Sequence, residues 1–81
     1  MLEELRNAKR RTVGAKETLK AVQNGQAKAV FIARDADEHV VRPLREALAK
    51  SSLPVYEAES MKALGRACGI EVGAAAAALL L

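Results

Sequence analysis

The 81-residue chain has no tryptophan, one phenylalanine (Phe31) and one tyrosine (Tyr56). RNA-binding sheets that stack bases on exposed rings need more aromatics than this, so that class is excluded. Cysteine and histidine are equally scarce, with Cys68 and His39 the single examples. One cysteine cannot form an intramolecular disulfide, which fits a reducing compartment. A structural zinc site takes about four Cys or His ligands, so no metal centre is expected. A Ser-His-Asp or Cys-His triad would have to use His39, and its neighbours Asp35, Asp37 and Glu38 read as the start of a helix. Gly-x-Gly-x-x-Gly is absent, and Gly14-Ala15-Lys16-Glu17-Thr18 lacks the upstream glycine and the Gly-Lys-[Ser/Thr] order of a phosphate loop. No catalytic residue or cofactor is expected, and the chain does not read as an enzyme. The N-terminus has no apolar signal region, and the longest uncharged run, Val72–Leu81, falls short of the roughly 20 residues of a membrane span. A cytoplasmic protein without a membrane partner is expected.

A chain this short makes one domain at most, here taken as residues 1–81. Its apolar fraction of 51% includes 17 alanines, so the core must pack closely on small side chains. The net charge of +3 hides an asymmetry. Residues 1–34 carry eight basic and three acidic groups, residues 35–59 three basic and six acidic, and residues 60–81 two basic and one acidic. Positive charge gathered in the first segment points to a polyanion-binding face; a solvated surface is the alternative.

Helices and strands alternate along the sequence. Leu2–Lys9 reads as a short helix and Arg10–Val13 as a strand ending at Gly14. Ala15–Asn24 reads as a helix with Ala15, Leu19 and Val22 on one face, stopped by Asn24-Gly25. Lys28–Ala33 is β-branched, aromatic and apolar on both sides, as an interior strand would be. Asp37 is a candidate N-cap for a helix over Glu38–Lys50, with Val41, Leu44 and Leu48 inward. Pro43 either kinks that helix or marks where its regular part begins. Pro54–Ala58 reads as a strand, and Ser60 caps a helix over Met61–Cys68 that Gly69 stops. The last stretch, Gly73–Leu81, contains five consecutive alanines that locally favour helix. The alternation favours a thin central strand instead. The order αβαβαβαβ predicts a three-layer α/β/α sandwich on a small mixed or mostly parallel sheet of about four strands.

Two segments carry the functional signal. In the first, Gly14–Lys20 runs from a strand into a helix, whose N-terminal amides suit a phosphate or a base edge. Lys16, Glu17 and Lys20 lie on its first turns, within i, i+3 and i, i+4 of one another. They offer two cationic donors and one carboxylate, which could accept from the amino and imino edge of a guanine. An exposed helix start with an ion pair is the alternative. In the second segment, Gly65 lies inside a helix, where glycine costs about 1 kcal/mol relative to alanine, so a close backbone approach is expected there. Ile70-Glu71-Val72 then forms a loop whose apolar residues either cover an extruded base or begin the packing of the last strand.

These residues together resemble the L7Ae/L30e family of ribosomal and kink-turn-binding proteins, above all its short bacterial members, over essentially the whole chain. The pattern Gly-x-Asn-Glu-x-x-Lys stands as Gly14-Ala15-Lys16-Glu17-Thr18-Leu19-Lys20. Ala-x-Asp stands as Ala33-Arg34-Asp35, the Pro-Val/Tyr strand as Pro54-Val55-Tyr56, and Leu-Gly-x-Ala-x-Gly as Leu64-Gly65-Arg66-Ala67-Cys68-Gly69. Each piece is weak alone; their order and spacing are specific. The resemblance implies an α/β/α sandwich that binds kink-turns, in which tandem sheared G·A pairs flank a three-nucleotide bulge. Glu17 would contact a guanine of those pairs, Lys20 a guanine or the nearby backbone, and Gly14 would allow close approach. Ile70, Glu71 and Val72 would meet the bulge, with Arg34 and Lys62 in support. Lys16 departs from the pattern's Asn: an amide donates and accepts, whereas lysine only donates. RNA, ribosomal or otherwise structured, is the implied partner of a monomer, with no DNA expected. A protein–protein interaction module of the same fold is the alternative.

Overall fold

The computed structural model describes residues 2–81. Eight elements follow the expected alternation: α1 (Leu2–Asn7), β1 (Arg11–Val13), α2 (Ala15–Gln23), β2 (Ala27–Ala33), α3 (Glu38–Ala49), β3 (Val55–Ala58), α4 (Met61–Ala67) and β4 (Ala76–Leu80). The strands form one mixed sheet in the order β1-β4-β2-β3. β4 is antiparallel to both β1 and β2, and β2 is parallel to β3.

The period-two alternation of strand side chains divides the core between the two faces. Ala29, Phe31 and Ala33 of β2, with Ala77 and Leu79 of β4, meet Leu5 of α1 and Leu64 and Ala67 of α4. Val30 and Ile32, with Ala76 and Ala78, meet Ala21 of α2 and Val41, Leu44 and Leu48 of α3. The helices therefore cover both faces, giving the three layers. Full burial of side chains such as Phe31, Leu5, Leu44 and Leu64 stabilises by roughly 1.5–3 kcal/mol each.

The alanine run is a strand, as the alternation predicts and local propensity does not. β4 is hydrogen-bonded on both sides, and Ala76, Ala77 and Ala78 are fully buried on its two faces. Strand pairing with buried backbone outweighs the propensity of a few alanines. The ladder starts only at Ala76, not at Gly73, because Ala74 N–H donates to Met61 O of α4 (3.0 Å) rather than to a strand. α1 stops at Asn7 instead of Lys9, after a last turn in which Ala8 N–H reaches Leu5 O. α3 runs unbroken from its Asp37 cap through the exposed Pro43, so its regular part does not begin at the proline. On α2 the fully buried face is Thr18 and Ala21; Ala15, Leu19 and Val22 are only half-buried beside it.

Candidate nucleic-acid interface

The antiparallel register of β4 brings four connecting segments to one end of the sheet. Val13 pairs with Ala77 and Ile32 with Ala76, while Ala33 pairs with Ala58. The ends of β1, β2 and β3 therefore lie beside the start of β4. Two hydrogen bonds continue the ladder into the loops: Gly14 N–H to Ala76 O (2.7 Å) and Ala33 N–H to Ala75 O (2.9 Å). The start of α2, the Arg34–Asp35 turn, the start of α4 and the 70–75 loop thus share one rim.

Gly14 is the N-cap of α2 at φ 100° and ψ 154°, a region essentially restricted to glycine. Its carbonyl accepts from Thr18 N–H (3.1 Å), and no cap hydrogen bond comes from a side chain. Thr18 is fully buried, and its hydroxyl lies 2.8 Å from that of Thr12 on β1. This pair fixes α2 to the edge strand from behind. It was not singled out in the sequence, although a strand threonine six residues before a first-turn threonine is a visible signal.

Lys16, Glu17 and Lys20 are exposed. The ion pairs among the described residues are Arg34–Glu57 (3.4 Å) and Arg45–Glu38 (3.0 Å), and His39 Nδ1 lies 3.6 Å from Asp37, so the trio at the start of α2 takes part in none of these contacts. The expected alternative of an ion-paired helix start is therefore not what forms. Glu17 and Lys20 line one open groove of about 450 Å³ with Arg11, Thr12, Val13 and Asn24, whereas Lys16 lies outside it. Arg34 is held by Glu57, and Lys62 is exposed on the first turn of α4.

The 70–75 loop folds back along α4 at near-contact distance. The carbonyl of Val72 fills the place of a β-carbon on Gly65, with the Val72 carbonyl carbon 3.1 Å from that position. A β-carbon on Gly73 would lie 3.0 Å from Met61 Cβ. Ile70 N–H donates to Gly65 O (3.0 Å) and Ala74 N–H to Met61 O. The start of α4 is anchored in turn: the Ser60 hydroxyl accepts from Ala63 N–H (3.0 Å), and the Asp35 carboxylate from Met61 N–H (2.7 Å). The close approach expected at Gly65 is the approach of this loop. Ile70 packs half-buried on the core, while Val72 is 70% exposed beside exposed Glu71.

Cys68 closes α4. Burial pushes its thiol above the ordinary range, against the opposing pull of Arg11. The thiol is therefore protonated and inert at neutral pH. No helix among the described residues is long and apolar enough to cross a membrane.

Residues 1–80 match the model of the ribosomal protein L7Ae/L30e/S12e/Gadd45 family. An RNA-binding protein of Caldanaerobacter subterraneus subsp. tengcongensis is 52% identical over 69 residues, covering 85% of this chain and 84% of that protein. The RNA-binding protein YbxF of Geobacillus stearothermophilus is 43% identical over 68 residues, covering 84% and 83% of the two chains. Among solved structures, a 15.5 kD RNA binding protein of Giardia lamblia superposes with a TM-score of 0.86 at 33% identity, over 99% of this chain and 68% of that one. With a family match across nearly its whole length, the chain belongs to the family described as ribosomal protein L7Ae/L30e/S12e/Gadd45.

Proposed function

We propose that the protein binds RNA and recognises kink-turns through the rim formed by the start of α2 and the 70–75 loop. It is a binding protein rather than an enzyme, in line with its family and with relatives named as RNA-binding proteins. The observation that supports the reading is the Gly14–Ala76 hydrogen bond, which joins the start of α2, with its unpaired Lys16, Glu17 and Lys20, to the end of the sheet where the loop bearing Glu71 and Val72 enters β4. A free carboxylate within a cationic helix start is poorly suited to a plain phosphate surface. It is well suited to guanine, whose amino and imino groups donate while lysine meets O6 or N7. The positive end of α2 favours both the Glu17 charge and an approaching phosphate. Without a β-carbon, Gly14 leaves open space at the junction. Val72 supplies an apolar surface for an unstacked base of the bulge, with Ile70 supporting it from the core side. Lys16, Lys62 and Arg34 add phosphate contacts, Arg34 only by exchanging Glu57 for the RNA. Readout of this kind depends on RNA shape and base edges more than on net charge. The protein acts as a cytoplasmic monomer on ribosomal or other structured RNA.

The test is a gel-shift titration of a kink-turn RNA with Glu17→Ala and Lys20→Ala. Each substitution is expected to weaken binding by about tenfold or more, in the range of a lost base-edge contact, with the fold unchanged by circular dichroism. Affinities within about twofold of the parent for both variants would overturn the site.

A further inference from the structure

Every lysine and arginine among the described residues is exposed except Arg11, which is half-buried. Its guanidinium turns inward and joins two helix ends. Nη1 donates to Ala8 O (2.9 Å) and Leu5 O (3.5 Å) at the end of α1, and Nη2 donates to Cys68 O (2.7 Å) at the end of α4. The Ala8 and Cys68 carbonyls are among the acceptors that a helix end leaves without an intrahelical donor, at the negative end of the helix dipole. The planar fork of arginine can serve both ends at once, which a lysine ammonium on its single stem cannot match.

The place of this clamp matters more than its strength. Cys68 is the C-cap of α4, and directly after it Gly69 turns at φ +79° into Ile70–Val72. Arg11 Nη2 lies 3.7 Å from where a β-carbon on Gly69 would stand. Along its own strand, Arg11 also lines the groove that holds Glu17 and Lys20. The residue thus ties the exit of the Ile70–Val72 loop to β1, the strand that leads into α2.

We infer that Arg11 is a positioning residue for RNA binding: by holding the Cys68 carbonyl it sets the direction in which the Ile70–Val72 loop leaves α4. The inference rests on the RNA-binding reading above. A role confined to stability predicts a lower melting temperature but no interaction with loop substitutions once every variant is folded. A role through the loop predicts that the effect of Arg11 shrinks when the loop contact has already been removed.

The experiment is a double-mutant cycle of Arg11→Met and Val72→Ala, read as affinity for a kink-turn RNA well below each variant's melting temperature. Arg11→Lys runs in parallel, so that the question survives if the methionine variant does not fold. Arg11→Met is expected to weaken binding by about tenfold in the parent chain and by about threefold or less in the Val72→Ala chain, with Arg11→Lys intermediate. Strictly multiplicative effects would overturn the inference. So would parent-like affinity in both Arg11 variants while the parent binds the kink-turn. A parent chain that does not prefer the kink-turn would instead overturn the RNA reading itself.

Discussion

The carbonyl of Val72 occupies the space that a β-carbon on Gly65 would need. A glycine inside a helix, unfavourable by itself, is thus the condition for the loop to lie flat on α4. Ile70 N–H to Gly65 O and Ala74 N–H to Met61 O hold the loop on either side of that contact. The chain gives up helix propensity for a fixed presentation of Glu71 and Val72.

Gly65→Ala therefore carries a sign opposite to its propensity. In an open helix it would stabilise by about 1 kcal/mol. Here the added methyl displaces Val72, and a net destabilisation of about 1–3 kcal/mol is expected in urea unfolding, together with weaker RNA binding. A gain in stability would show that the loop is free to move off the helix.

Gly14 tests the backbone alone, since nothing lies within 4 Å of where its β-carbon would be. At φ 100° and ψ 154° any side chain is strained, by about 1–3 kcal/mol. Gly14→Asn should be no milder than Gly14→Ala, because asparagine's advantage belongs to the left-handed helical region. Equal thermal stability of both variants and the parent would contradict the geometry.

Removing either hydroxyl of the Thr12–Thr18 pair leaves the other without its partner behind the start of α2. Thr12→Val and Thr18→Val should each cost about 1 kcal/mol. The double variant should cost clearly less than the sum, because no hydroxyl is then orphaned. Denaturation midpoints of the three variants read this directly.

The raised pKa of the Cys68 thiol makes stability fall at alkaline pH. The folded chain holds that proton more tightly than the unfolded chain, so the contribution is complete below the thiol's ordinary 9.0 and is lost as pH rises through the folded value. Unfolding midpoints measured from pH 7 to 10.5 should decline more steeply for the parent than for Cys68→Ala. Alkylation by iodoacetamide at neutral pH should be slow until the chain is unfolded.

The layers and the caps at Asp37 and Ser60 were legible because periodicity, cap chemistry and the helix–strand alternation point the same way, whereas the alanine run was legible as a strand only from the alternation, against its local helix propensity. The start of β4 was not: Ala74 is indistinguishable in sequence from Ala76, and it is the tertiary hydrogen bond of its N–H to Met61 O that keeps it out of the ladder. The inward face of α2 was legible at Ala15, Leu19 and Val22, which pack against the core, but not at Thr18, which is polar and whose burial depends on a partner on another element. Of the candidate site, Lys16, Glu17 and Lys20 can be placed together on one helix start from their spacing, but the spacing leaves an exposed, ion-paired helix start open, and it is the family resemblance that makes them candidates with Gly14. The opposite fates of Ile70 and Val72 could not be foreseen, because two β-branched residues flanking a glutamate read alike until the loop is laid on α4. Arg11 was hidden as well: in sequence it is one of two adjacent arginines, and only the fold turns it toward Cys68.

The most direct test is a pair of affinities for the unmodified protein, taken at one fixed salt concentration. One RNA is a kink-turn with tandem G·A pairs; the other is the same RNA with those pairs replaced by Watson–Crick pairs. Base-edge recognition at Glu17 and Lys20 predicts binding to the first at least about a hundredfold tighter, as the loss of two specific contacts would give. Equal affinities, falling together as salt is raised, would show attraction to phosphate alone and contradict the account.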